Sequence, residues 1–154
     1  DHSIGWLKEF ENLIITRTFS KAYGLAGLRV GYSLCSPLIA DFINRVREPF
    51  NVNYTAQVAA IAALSDDDYL KDSITVNTDG YLQLTNGFDS LNLSYIPSHA
   101  NFIAVEFNNA MNTYNDLLKE GVIVRPVEMS GYLRISIGTS DENMHLLSAL
   151  KKVL

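Results

Sequence analysis

Lys21 stands directly after Ser20 in TRTFSKAYGLAGLRVGY, residues 16–32, with Thr18 before it, Gly24 and Gly27 after it, and Arg29 further along. A loop lysine is ordinarily a solvated charge, and it becomes a nucleophile only where its surroundings leave the amine unprotonated. Here the neighbours supply two hydroxyls, a fixed cation and glycines that let backbone come close. Together Thr18, Ser20 and Arg29 could cradle a phosphate dianion beside the Lys21 amine. The order differs from a nucleotide P-loop, in which the lysine follows the glycines.

An amine beside a phosphate cradle suits a carbonyl compound that carries its own phosphate. Pyridoxal phosphate has that chemistry, its phosphate holding the ring so that the aldehyde carbon stays within reach of Lys21. A second cationic feature lies in YLRISI. A period of two puts Leu133, Ile135 and Ile137 on one strand face and Tyr132, Arg134 and Ser136 on the other. The first face belongs to a core, so Arg134 looks into a cleft or into water. A strand is a rigid mount for a guanidinium fork that grips an anionic substrate bidentately. Arg125, before Pro126, could aim the same way. Exposed arginines are common, so the pattern alone leaves two solvated strand-end charges as an open reading.

The other reactive side chains form no such constellation. His2, His99 and His145 are scattered without the paired spacing of a zinc site, and Tyr23 and Tyr54 read as packing aromatics. The triplet Asp66, Asp67 and Asp68 fits a helix N-terminus, where carboxylates meet the positive end of the dipole. No loop shaped for a hard cation follows it, so no metal site is expected. Cys35 reads as a small buried residue in VGYSLCS. The 154 residues carry a net charge of −5, which argues against a nucleic-acid footprint. No apolar run reaches bilayer length, and the N-terminus lacks the pattern of a signal peptide. A cytoplasmic setting is expected.

These residues need elements to hold them. The pattern predicts a short amphipathic helix over SIGWLKEFEN, strands NLIITRTF and VGYSLCS around the glycine-bearing loop, and a helix from Pro37 ending before Pro49. An alanine-rich helix TAQVAAIAALS follows. A long helix then carries an apolar stripe through Leu70, Ile74, Tyr81, Leu84 and Phe88. Gly80 and Gly87 weaken it by about 1 kcal/mol each, so packing must hold it. Strands LSYIP and NFIAVEF, a helix closed by Gly121, and strands VIVRP and YLRISIG come next. The last helix opens on a capping box, Thr139 with Glu142, and carries a stripe through Leu147, Leu150 and Leu154. This is a mixed α/β order. Connector 49–54 is the expected junction between an N-terminal βαβ piece and a compact α+β piece.

SKAYGLAGLRVGY resembles the lysine signature of the class I/II aminotransferases, the fold-type-I pyridoxal phosphate enzymes. PFNVNYTAQ, SHANFIAVEF, GVIVRP and YLRISIGTSDEN extend the resemblance through nearly the whole chain, and together they are most similar to the histidinol-phosphate aminotransferase family. The resemblance implies an α/β fold in which residues 1–50 end the large mixed-sheet domain and residues 51–154 form an α+β small domain. It also implies roles. Lys21 would hold the cofactor as a Schiff base and shuttle a proton between substrate Cα and cofactor C4′. Thr18, Ser20 and Arg29 would contact its phosphate. Arg125 and Arg134 would bind the anionic end of the substrate: phosphate in L-histidinol phosphate, carboxylate in glutamate.

The implied activity is amino transfer between L-histidinol phosphate and 2-oxoglutarate in histidine biosynthesis, by a homodimer with small-molecule substrates and no nucleic-acid or membrane partner. A related decarboxylase of amino-acid phosphates, an aromatic or aspartate aminotransferase, and a non-catalytic assembly domain are the competing readings. The family begins with a long segment holding a glycine-rich phosphate loop, an asparagine and a tyrosine for the cofactor oxygen, and the aspartate that pairs with the pyridine nitrogen. None is present here, and the chain opens on Asp1. It therefore reads as the C-terminal portion of a longer enzyme, inactive by itself.

Overall fold

In the computed structural model, which describes residues 2–154, the β-branched run Ile15–Thr18 (β1) pairs antiparallel with Gly31–Leu34 (β2), Arg17 opposite Tyr32 and Thr18 opposite Gly31. Between them the chain makes only a 3₁₀ turn, Ala26–Leu28. The expected βαβ piece is therefore a hairpin. A parallel crossover needs a dozen or more residues, usually a whole helix, and Gly24 and Gly27 deny this segment one. The first helix is also shorter than predicted: α1 spans Ser3–Trp6 and buries nothing.

The next helices lie where the sequence predicts them, and two of them start on caps that it did not single out. Ser36 caps α2 (Pro37–Val46), which begins on its proline and ends at Arg47, two residues before Pro49. Asn53 caps α3 (Tyr54–Leu64), its Oδ1 accepting the Ala56 N–H at 2.8 Å, and α3 buries Ala56 and Ala60. In α4 (Asp67–Ser90) the acidic triplet sits at the N-terminus as expected. Asp66 accepts the Tyr69 N–H at 3.0 Å, and Asp68 pairs with Lys71 at 3.2 Å.

The chain forms two compact units, the first ending at Ser73 and the second spanning Ile74–Leu154. In the first, Ile15, Phe19, Ala56 and Ala60 are buried, while Phe42, Val46, Phe50, Tyr54 and Ile61 are exposed. Cys35 is free and half-buried rather than buried.

The second unit holds an antiparallel sheet of β3 (Tyr95–Ile96), β4 (Phe102–Glu106), β5 (Arg125–Pro126) and β6 (Tyr132–Ser136), in the spatial order β3-β4-β6-β5. Helices α5 (Ala110–Lys119) and α6 (Ser140–Val153) complete it. Its core joins Ile103, Val105, Leu133 and Ile135 of the sheet to Leu84 and Phe88 of α4, Leu117 of α5 and Leu150 of α6. The stripe of α4 is buried only from Gly80 onward, and Ile74 is 54% exposed. On α6 the buried stripe runs through Asn143, Leu146, Ala149 and Leu150; Leu154 lies outside it.

Asn143 ties this unit together. Its Oδ1 accepts the Gly138 N–H at 3.0 Å, and its Nδ2 donates to the Gly138 carbonyl and to Gln83 Oε1, both at 3.1 Å. One buried amide thus joins the chain just past β6 to α4 and α6. Gly80 lets α4 come close at the same place.

A Cβ on Gly80 would lie 2.6 Å from Ile137 Cγ2 and 3.0 Å from the Gly138 carbonyl oxygen. Gly80→Ala gains up to about 1 kcal/mol of helix propensity but overpacks the site by about 1–3 kcal/mol. The expected result is a net loss of stability in urea denaturation, the reverse of an exposed helical glycine. The capping box gives a second expectation. The Thr139 backbone N–H, and then its hydroxyl, donate to Glu142 and hold its carboxyl below the usual glutamate range. A lowered folded value means that this stabilisation is complete above the unfolded glutamate range and is lost as pH falls through the folded one. Glu142→Gln should flatten the acid limb of the stability profile below about pH 5, followed by urea midpoints.

Candidate functional site

Phe19 anchors the lysine loop. Its ring is buried against those of Tyr23 and Tyr32, with centroids at 5.0 and 5.9 Å. Its N–H donates to the Val30 carbonyl at 3.2 Å, and its own carbonyl accepts the Leu25 N–H at 2.9 Å. The loop is therefore closed by backbone hydrogen bonds at both ends. Inside it the Lys21 carbonyl accepts the Gly24 N–H at 2.8 Å, a tight turn that presents Lys21 as an exposed side chain. Gly24 has φ +70°, and a Cβ on it would lie 2.5 Å from the Tyr69 hydroxyl. The turn fits glycine on both counts.

Three of the residues that the sequence groups around Lys21 come together. Thr18, Ser20 and Arg29 line one open cavity of about 420 Å³ with Arg17, Gly31 and Tyr32. Thr18 Oγ1 accepts the Ser20 N–H at 3.0 Å. Arg29 closes the 3₁₀ turn in the left-handed region, φ 53°, and its Nη1 donates to the Ala26 carbonyl at 2.8 Å. That conformation costs a non-glycine residue about 1–2 kcal/mol. Gly31 faces Thr18 across the hairpin, where a Cβ would lie 2.6 Å from the Arg17 carbonyl oxygen, so the cavity floor closes only over glycine. Lys21 is not among the residues lining this cavity; it stands on the turn next to it in the chain.

The second unit holds the other two candidates. The alternation along β6 is as predicted: Leu133 and Ile135 are buried, Tyr132 and Arg134 half-buried on the opposite face. Arg125 lies directly opposite Arg134 in the β5–β6 register, so the two side chains leave the sheet on the same face. Like charges so placed repel. Among the described residues neither is in an ion pair, and Arg134 Nε is buried without a hydrogen-bond partner. The Arg134 guanidinium lies 4.7 Å from the centroid of the Phe102 ring. Two uncompensated guanidinium groups side by side attract an anion and can grip it with several N–H donors. Phe102 was not singled out by sequence reasoning, although the alternation in NFIAVEF already puts it on the face opposite Ile103 and Val105.

His2, His99 and His145 are exposed and well separated in the chain. Among the described residues no three His, Cys, Asp or Glu side chains gather as a metal site, and no helix is long and apolar enough to cross a membrane.

The described residues thus offer one hydroxyl- and arginine-lined cavity and one arginine pair. The sequence profile described as aminotransferase class I and II matches residues 2–150, and the chain belongs to that family. It is 54% identical over 155 residues to a histidinol-phosphate aminotransferase from Methylobacillus flagellatus, covering 99% of this chain and 42% of that protein. With histidinol-phosphate aminotransferase 2 of Pseudomonas aeruginosa it shares 55% identity, covering 98% and 42%. The crystal structure of histidinol-phosphate aminotransferase from Sinorhizobium meliloti in complex with pyridoxal-5'-phosphate matches with a TM-score of 0.85 at 34% identity, over 93% of this chain and 41% of that one. The chain thus spans about two-fifths of the length of these relatives. Its fold is that of part of a fold-type-I transferase, as the resemblance implied.

The turn at Lys21 yields a double-mutant expectation. Gly24→Ala suffers both the positive φ, about 1–2 kcal/mol, and the contact with Tyr69. Adding Tyr69→Phe removes the hydroxyl and should restore the contact part but not the φ part. Urea unfolding followed by Trp6 fluorescence should show the double variant between wild type and Gly24→Ala; equal losses in both would contradict the contact.

Proposed function

We propose that the full-length protein is a pyridoxal-phosphate-dependent aminotransferase that moves an amino group between L-histidinol phosphate and 2-oxoglutarate in histidine biosynthesis, acting as a cytoplasmic homodimer. The observation that carries this reading is the antiparallel pairing of Arg125 with Arg134, neither with a carboxylate partner among the described residues. The 54% identity to a histidinol-phosphate aminotransferase supports the choice of substrate.

The cavity suits the cofactor's phosphate. Thr18 and Ser20 offer hydroxyls and Arg29 a fixed cation. When bound, pyridoxal phosphate supplies the aldehyde and the electron-accepting ring that acidifies the substrate Cα–H. With the cofactor bound, Lys21 Nζ would be the amine that holds it, and the same Nζ is placed to take the substrate Cα proton and to return it. Thr18, Ser20 and Arg29 would hold the phosphate. Arg125 and Arg134 take the far end of the substrate, phosphate in one half-reaction and carboxylate in the other.

Residues 1–50 are read as the end of the large domain and residues 51–154 as the small domain. The exposure of Phe42, Val46, Phe50, Tyr54 and Ile61 supports an assembled parent, in which such large apolar side chains find partners. The 154 residues alone are expected to be inactive.

Borohydride treatment of the full-length protein with pyridoxal phosphate, followed by peptide mapping, should give one reduced adduct, on Lys21, and Lys21→Ala should lose both adduct and turnover. Arg134→Gln should raise KM for both substrates roughly 100-fold, the scale of a lost bidentate charged contact. An adduct scattered over surface lysines, or release of CO₂ in place of a keto product, would overturn the reading.

A further inference from the structure

The face of the sheet that carries the arginine pair is not symmetric. On β4 the residue directly opposite Arg134 is Ala104, and the residue opposite Ser136 is Phe102. A methyl group facing Arg134 leaves its long side chain free to lie along the sheet toward the aromatic ring two residues away. There the guanidinium rests 4.7 Å from the ring centroid. On its other side stands Arg125, whose charge repels it. Repulsion from β5 and attraction by a ring on β4 act in the same direction.

A guanidinium can be held in place in two ways, and they differ in what they leave for a ligand. A carboxylate partner fixes it by occupying its N–H donors and cancelling its charge. An aromatic face fixes it through the ring quadrupole, perpendicular to the guanidinium plane, and leaves the in-plane donors and the whole charge unspent. Arg134 has the second kind of support. Its ring partner is half-buried, and among the described residues it has no carboxylate partner and its Nε no hydrogen-bond partner. We propose that Phe102 is a positioning residue: its ring orients the Arg134 fork for the anionic end of either substrate without competing for it. This rests on the reading of Arg134 as the anion grip. It adds that the grip is preorganised by an aromatic face, so both a phosphate and a carboxylate lose affinity when the face is removed.

The test uses the full-length enzyme with Phe102→Leu, Phe102→Met and Phe102→Tyr. Leu and Met keep an apolar side chain without a π face, and either serves if the other does not fold. The expected result is a KM raised about tenfold for both L-histidinol phosphate and glutamate, with kcat changed by less than about threefold. Phe102→Tyr should restore KM to near the wild-type value. In an Arg134→Gln background the same Phe102 substitutions should have no further effect on KM, because the ring would have nothing left to orient. Failure of the two readings is separable. An unchanged KM in Arg134→Gln alone removes the anion grip. A raised KM in Arg134→Gln with a wild-type KM in Phe102→Leu and Phe102→Met overturns only the role of the ring. A Phe102 effect that persists undiminished without Arg134 marks the ring as packing and also overturns it.

Discussion

The pleat of β6 is the constraint on which the second unit depends. A strand has only two faces, so burying Leu133 and Ile135 against α4 and α6 forces Arg134 to the other side. Pairing with β5 then sets Arg125 opposite it, and pairing with β4 brings Phe102 within reach. None of these three side chains could be moved alone. A slip of one residue in the register would carry the arginine into the core and the leucine into water, at a cost far above what any anion contact returns. The hydrophobic core and the arginine pair are therefore two consequences of one pairing.

What keeps that pairing in place is a small set of close approaches at the end of β6. Gly80 lets α4 reach Ile137, and Asn143 satisfies both backbone groups of Gly138 while binding Gln83. A buried amide so used leaves little room for substitution, since removing it takes three hydrogen bonds from the half-buried Gly138 and Gln83. The strand end that carries Arg134 is thus fixed by Gly80 and Asn143, on two helices.

The first unit works by different means. Few of its side chains are buried, and its loop is held by backbone hydrogen bonds around one aromatic residue, Phe19, and by glycines where a side chain would collide. Gly24 and Gly31 each stand against a neighbour, the Tyr69 hydroxyl in one case and the Arg17 carbonyl in the other. The loop shape that gathers Thr18, Ser20 and Arg29 is in this sense written by what is absent from two side chains. Arg29 adds a left-handed conformation that its position at the end of the 3₁₀ turn imposes. A loop built this way needs little core of its own, which agrees with the sparse burial around it.

Much of this was legible in the chain. Alternation in YLRISIG separated the buried face of β6 from the face that carries Arg134, the Pro37, acidic-triplet and Thr139–Glu142 signals located helix starts, and the spacing around Lys21 grouped Thr18, Ser20 and Arg29. These are local properties, set by backbone sterics and by hydrogen bonds a few residues apart. The errors were nonlocal. The hairpin of β1 and β2 was read as a βαβ unit because strand direction depends on which partner the chain returns to. The buried stripe of α4 was overextended because Ile74 has the right spacing but no core beside it. The pairing of Arg125 with Arg134 and the ring of Phe102 beneath the guanidinium belong to the same category. Sequence alone determined which side chains could share a face. Tertiary structure decided which faces met, because register is chosen by the sum of contacts across strands distant in the chain.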